Sequence, residues 1–246
     1  MTGHAVDQAE VERIRRAREH VLERIATASG RAGRDPASVT LVAVSKTVPA
    51  DRVRAAIAAG VRVLGENRVQ EAAAKIPSIE GASWHLIGPL QGNKARRALE
   101  LFDVIESVHS VQLAQRLDRI AGELGRAPVP ILLQVNVDRD PAKAGLDPES
   151  LERAVPQLDP LGALDVRGLM TIGRLADDPE LARPTFDALR ILSERLRTSW
   201  PRLGPELSMG MSDDYEVAIE EGATIVRVGR ALFGERPAPG AQAPPP

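Results

Sequence analysis

Val39–Gly65, VTLVAVSKTVPADRVRAAIAAGVRVLG, is the stretch whose reading decides the fold. Val39–Val44 is an apolar run that does not alternate with polar residues, the pattern of a strand covered on both faces in a parallel sheet. Val53, Ala56 and Ile57 then recur at helical spacing, and Gly60 closes that helix. Val61–Leu64 begins a second strand. The same strand–helix alternation continues outward. A helix over 68–75 leads to a strand at Trp84–Ile87, and a helix over 94–101 to a strand at Val104–Val108. Leu113, Leu117, Ile120 and Leu124 mark the next helix, before a strand at Pro130–Val137 and a helix over 148–158. Leu164–Ile172 holds a sixth strand, followed by a long helix bearing Phe186, Leu189, Ser193 and Leu196. Strands at Glu206–Met209 and Thr224–Val228, with a helix over 214–221 between them, bring the strand count to eight. Eight such units predict an α/β protein closed as a single (β/α)8 TIM-type barrel. The rival, an open doubly wound sheet, would carry G-x-G-x-x-G after its first strand, and this chain does not.

The rest of the sequence divides around that barrel. Residues 1–9 read as a flexible N-terminus and 10–235 as the barrel, entered by an amphipathic helix carrying Ile14, Ala17, Val21 and Ile25. Residues 236–246, RPAPGAQAPPP, read as a disordered Pro-rich tail. The chain's 246 residues and 43% hydrophobic content suit one barrel with a full core. A net charge of −2 and a pI near 6.1 point away from nucleic acid and membrane surfaces. With no cysteine, disulfides, thiolate metal sites and a cysteine nucleophile are excluded. The four histidines show no metal-ligand spacing, so no metal is expected. No secretory signal or apolar run of about 18 residues is present, which predicts a cytoplasmic protein.

In a barrel of this kind, chemistry gathers at the C-terminal ends of the strands. Those ends are Ser45-Lys46, Gly65-Glu66-Asn67, His85 to Gly88, Ser107 to His109, Asn136, Met170-Thr171, Met209 to Ser212 and Arg227 to Arg230. Lys46 is one of only four lysines among 32 basic residues, and it ends an apolar strand. Desolvation there favours the neutral amine, which attacks carbonyls to form imines; the alternative is a solvated loop lysine. The last two loops offer a phosphate cup. Gly210 permits a tight turn, Ser212 offers a hydroxyl, and Gly229 lets a backbone amide approach an oxyanion. Asp213 with Glu216 has capping-box spacing, so that turn could equally serve a helix start. Arg227 lies inside an apolar strand and needs a partner, either a structural counter-ion or a ligand acceptor. His85 reads as a hydrogen-bonded core histidine, and Asn67 and Asn136 as ligand-orienting or loop-satisfying groups.

These residues and their surroundings resemble the pyridoxal phosphate homeostasis protein family. The matching segments are LVAVSKTVPADRV (Leu41–Val53), GENRVQE (Gly65–Glu71), WHLIGPLQGNK (Trp84–Lys94), QVNVDRDPAKAGL (Gln134–Leu146), RGLMTIG (Arg167–Gly173), LSMGMSDDYEVAIEEGATIVRVG (Leu207–Gly229) and ALFGER (Ala231–Arg236). The resemblance implies a barrel like the alanine racemase N-terminal domain and pyridoxal 5′-phosphate as cofactor. It implies a Schiff base on Lys46, a phosphate held by Ser212 with the amides near Gly229 and Arg230, Arg227 facing the pyridine nitrogen, and Asn67 beside the ring hydroxyl. The expected cofactor-binding set is Lys46, Asn67, Met209, Ser212, Arg227, Gly229 and Arg230, with no catalytic residue assigned. Two positions depart from the family pattern: Arg68 stands where a tyrosine is usual, and Gly92 where a serine is.

Three functions share that lysine: a cofactor carrier, an amino-acid racemase and a cofactor-free Schiff-base aldolase. A racemase needs proton-transferring groups on both faces of the substrate carbon. In alanine racemase the second is a tyrosine from another domain of the neighbouring subunit, whereas this chain has one tyrosine, Tyr215, predicted on a helix beyond the phosphate turn. A guanidinium at the ring nitrogen does not give up its proton, which makes the ring a weak electron sink; alanine racemase has the same arginine, so the missing second acid–base group decides. The expectation is a monomeric, cytoplasmic carrier with little or no catalytic activity. Its partners would be the cofactor, related vitamers and pyridoxal phosphate-dependent apoenzymes.

Overall fold

The side chains of Val42 and Arg227 sit level with each other on adjacent parallel strands, and that pairing closes the sheet. In this computed structural model, which describes residues 6–126, 128–174 and 177–235, eight parallel strands form a closed barrel in sequence order. They are β1 (Thr40–Val44), β2 (Val63–Glu66), β3 (Ser83–Leu86), β4 (Val104–Val108), β5 (Val129–Gln134), β6 (Leu164–Met170), β7 (Glu206–Met211) and β8 (Ile225–Val228). The barrel is the one the alternating apolar runs predict. A sheet with no edge leaves no row of unpaired backbone groups.

Helices α1 (Gln8–Arg31), α2 (Ala50–Ala58), α3 (Val69–Lys75), α4 (Ala95–Leu101), α5 (Val111–Glu123), α6 (Pro148–Leu158), α7 (Arg183–Ser199), α8 (Tyr215–Glu220) and α9 (Arg230–Phe233) surround it. Each of α2 to α8 follows the strand before it. Helix α1 packs against α2, α8 and α9, filling the place in the ring between the last unit and the first. Its buried stripe of Val11, Ile14, Val21, Ile25 and Ala28 has the spacing that packing requires. The Asp7 carboxylate accepts from the Ala9 N–H and starts this helix at Gln8. Gln8 and Ala9 therefore belong to the helix and not to a flexible terminus. Residues 1–5 and the tail 236–246 lie outside the described residues.

Two apolar layers hold the fold. The larger lies between the strands and the helix ring; the smaller, Val42, Leu132, Met170 and Ile225 with Val63, Ile87 and Ile172, plugs the lumen. Strand β5 stops at Gln134, short of the expected Val137, because Asn136 turns the chain. Its Oδ1 accepts from the Asp140 N–H at 3.1 Å, and its Nδ2 donates to the Asp140 and Lys143 carbonyls. Asn136 thus satisfies loop backbone, the second of its two readings. Gly88 permits a close approach at the C-terminal rim: a Cβ there would lie 2.3 Å from the Asn67 carbonyl oxygen.

Candidate functional site

Lys46, Ser212, Gly229 and Arg230 lie at the C-terminal rim where β8 meets β1. Lys46 follows β1 in a turn, is half-buried, and lines one pocket with Thr47, Arg52, Gly229, Arg230 and Phe233. Strand β7 runs into a turn that Gly210 makes possible. Its φ is +90°, and a Cβ would lie 2.6 Å from the Ala218 Cβ, so both backbone and space demand glycine. The turn brings Ser212 to the end of β8, where the Gly229 N–H donates to the Ser212 Oγ at 3.2 Å. The two loops are thereby joined, and Gly229 and Arg230 share the pocket that Lys46 lines.

The two aspartates of the turn are occupied elsewhere. Arg230 donates to the Asp213 carboxylate. Asp214 is buried, and its Oδ1 accepts from the Met211 N–H at 2.6 Å. Burial pushes the Asp214 carboxyl up, opposed by that hydrogen bond and by the Arg227 charge. The capping-box alternative does not form. Asp214, not Asp213, precedes α8 without a side-chain bond to the helix, and Glu216 pairs with Arg24 and Arg31 of α1.

Arg227 points into the lumen, 4% exposed. Its Nη1 donates to the Ser208 Oγ at 2.5 Å and its Nη2 to the Thr171 carbonyl at 2.7 Å. Ser208 in turn donates to Glu106 Oε2 at 2.5 Å, and Glu106 Oε1 meets the His85 Nδ1 at 2.6 Å. A buried polar chain therefore runs from Arg227 through the barrel to His85. That histidine borders a cavity at the opposite rim with Asp103, Arg167 and Glu206. Burial alone would raise the Glu106 carboxyl. The His85 hydrogen bond and charge, with Arg227 4.0 Å away and Ser208, outweigh it and hold the group below its ordinary value. Burial lowers the Arg227 pKa, opposed by Glu106 and Asp214, yet a guanidinium keeps its proton. Arg227 thus has its structural counter-ion in Glu106.

Not every expected residue turns its side chain to this site. Met209 lies one residue from Ser208, hence on the other face of β7, and is buried in the layer between strands and helices. Its backbone, not its side chain, is what borders the turn. Asn67 sits just past β2, half-buried, with its backbone against Gly88. Arg68 is exposed at the start of α3, and Gly92 opens a short 3-10 turn. Tyr215 is buried against α1, with the Arg24 guanidinium 5.4 Å from its ring centre. Sequence reasoning missed Glu106 and Ser208. Their signal was a polar residue breaking the apolar run of β4 and of β7, facing a basic residue in β8. No cluster of three metal-ligating side chains occurs among the described residues, and no helix there is long and apolar enough to cross a membrane.

The sequence and the barrel it folds into are similar to those of known proteins. The model of the alanine racemase N-terminal domain matches residues 17–237. The pyridoxal phosphate homeostasis protein of Pseudomonas aeruginosa is 45% identical over 219 residues, covering 88% of this chain and 93% of that protein. The protein of the same name from Aquifex aeolicus is 42% identical over 218 residues, 88% and 95% of the two chains. PipY of Synechococcus elongatus PCC7942, solved with PLP bound, superposes with a TM-score of 0.76 at 48% identity, covering 87% of this chain and all of that one. Alanine racemase of Clostridium difficile 630 shares the fold at 17% identity, with a TM-score of 0.71 over 92% of this chain and 58% of its own. On these likenesses, which span nearly the whole barrel, the chain belongs to the pyridoxal phosphate homeostasis protein family, built on the alanine racemase N-terminal domain.

Proposed function

We propose that this protein binds pyridoxal 5′-phosphate through Lys46 and acts as a cytoplasmic, monomeric carrier of the cofactor with little or no catalysis of its own. The observation that carries the reading is the convergence of Lys46, the Ser212–Gly229 pair and the buried Arg227 at one rim. The fit is chemical. Pyridoxal phosphate would supply an aldehyde, the group with which a primary amine forms a Schiff base with loss of one water. Lys46 provides that amine. Ser212 and the Gly229 and Arg230 amides offer donors for the phosphate. Arg227, already neutralised by Glu106, offers N–H groups to the ring nitrogen, with Asn67 beside the ring hydroxyl. Candidate recipients are pyridoxal phosphate-dependent apoenzymes.

A racemase would need a second acid–base group above the reacting carbon. The chain's one tyrosine is packed beneath Arg24 of α1, outside the barrel. That placement favours the carrier.

The test is an absorption spectrum of the protein mixed with pyridoxal 5′-phosphate, before and after borohydride, followed by peptide mapping. A visible band whose reduced adduct maps to Lys46, and which Lys46→Ala abolishes with the fold intact, is the expected result. A band that persists in Lys46→Ala overturns the assignment. Arg227→Gln is expected to weaken retention by roughly 10- to 100-fold, the loss of a charged hydrogen bond to the ring. Retention equal to wild type refutes the ring-facing role. An alanine racemisation assay with turnover comparable to a racemase would replace the carrier reading with the enzymatic one.

A further inference from the structure

The turn that carries Lys46 is gripped from behind by a second, buried lysine. Lys75, the last residue of α3, is 7% exposed. Its ammonium donates to the Ser45 carbonyl at 2.9 Å, to Glu66 Oε1 at 2.6 Å and to Glu71 Oε1 at 3.1 Å. Glu66 Oε1 also accepts from the Ser45 hydroxyl at 2.7 Å, and Glu71 Oε1 from the Thr47 N–H at 2.5 Å. Both neighbours of Lys46 in the chain are therefore tied to carboxylates, and both carboxylates share one ammonium. The tie opposes strain. Thr47 has φ +64°, in the left-handed region that a β-branched residue occupies only when its surroundings force it there.

We propose that Glu66, Glu71 and Lys75 are positioning residues for Lys46, holding the Ser45–Thr47 turn in its strained form so that the Lys46 side chain leaves the rim at a fixed point facing Gly229. This deepens the reading of Lys46 as the cofactor's anchor and rests on it. The network is centred on the Lys75 ammonium. An ammonium has three N–H donors, and those of Lys75 meet three acceptors, two of them carboxylate oxygens. Its ammonium is held in place from three sides, behind the turn that carries Lys46. Glu66 gains from the arrangement as well. Burial drives its carboxyl upward, and the Lys75 bond and charge oppose that rise. Its Oε2 is buried with no partner among the described residues, so loss of the Lys75 charge leaves a carboxylate that must take a proton.

The experiment follows the rate at which the visible band appears when the full chain is mixed with pyridoxal 5′-phosphate, with borohydride mapping of each product. Glu71→Ala frees the Thr47 N–H and is expected to slow the band by roughly 10- to 100-fold, as a misplaced reacting group does. Glu71→Gln keeps an acceptor oxygen for that N–H, and Glu71→Ala/Thr47→Gly removes the strain by supplying a residue at ease with positive φ. Both are expected to recover most of the rate. Lys75→Met is expected to slow the band and to make its rate more strongly dependent on pH as Glu66 takes up a proton. Rates within about threefold of wild type in Glu71→Ala and Lys75→Met, a difference worth under about 0.7 kcal/mol, overturn the proposal. Slowing that neither Glu71→Gln nor Thr47→Gly relieves also overturns it, by showing a general loss of structure. If the wild-type adduct maps to a lysine other than Lys46, the anchor reading fails on its own, whatever the variants do.

Discussion

The buried pair at the barrel axis sets a stability test whose magnitude follows from its surroundings. Glu106 is 0% exposed and lies 4.0 Å from Arg227, itself 4% exposed, while its oxygens are bonded to His85 and Ser208. Glu106→Gln keeps the shape and removes the charge, leaving the Arg227 guanidinium buried without its counter-ion. Breaking a buried pair in this way costs about 3–5 kcal/mol. In a chain of 246 residues, that corresponds to a fall in Tm of roughly 6–20 °C. Replacing the whole pair by apolar residues avoids the unpaired charge, so Glu106→Met/Arg227→Met should lose far less than the sum of its two single variants. Thermal melts followed by circular dichroism at pH 7, assembled as a double-mutant cycle, measure this. The acid limb adds a signed check. The folded Glu106 carboxyl lies below its ordinary value of 4.5, so its contribution is complete above that pH and is lost as the pH falls through the folded pKa. The gap between wild type and Glu106→Gln should therefore close in acid. A single-variant cost under about 1 kcal/mol, or strictly additive costs, would refute the claim that Glu106 neutralises Arg227.

Two further outcomes follow from local geometry. Gly210→Ala must place a Cβ 2.6 Å from the Ala218 Cβ at φ +90°, a combination of overpacking and backbone strain that should cost about 2–4 kcal/mol in urea unfolding; a cost below about 1 would show that the turn relaxes freely. Glu10 is paired with Arg13 and Arg52, and its carboxyl is lowered to about 2, chiefly by the Arg13 hydrogen bond. Solvent screening limits the contribution to about 0.3–1 kcal/mol, present above the ordinary value and lost as the pH falls towards the folded one. Melts of Glu10→Gln and wild type should accordingly converge as the pH approaches 2, and an unchanged gap there would contradict the pairing.

Much of the site was legible because its positions coincide with strand ends, and strand ends follow from where apolar runs stop. Lys46, Ser212, Gly229 and Arg227 were all singled out that way; in the structure Lys46 and Gly229 line one pocket, and Ser212 accepts from the Gly229 N–H. At Met209 the sequence shows that a residue ends a strand but not toward which face its side chain points. In β7 the pleat turns Ser208 inward and Met209 outward. Residues 236–246, expected to be a disordered tail, lie outside the described residues, so that expectation stays a reading of composition.

Sequence by itself determined the eight strand–helix units, their order and their closure, because hydrophobic periodicity is a local property that each segment displays alone. It also singled out Arg227 as a charge in need of a partner. Only the tertiary structure decided who that partner is. Glu106 lies 121 residues away, on a strand that comes opposite β8 once the barrel has closed. The grip on Lys46 has the same origin. Ser45 and Thr47 meet Glu66, Glu71 and Lys75 across two adjacent strand–helix units, and no pattern within either unit records that contact. Periodicity fixes which face of a segment is buried. Which buried polar groups meet is set by the register and curvature of the closed sheet, a property of all eight strands together.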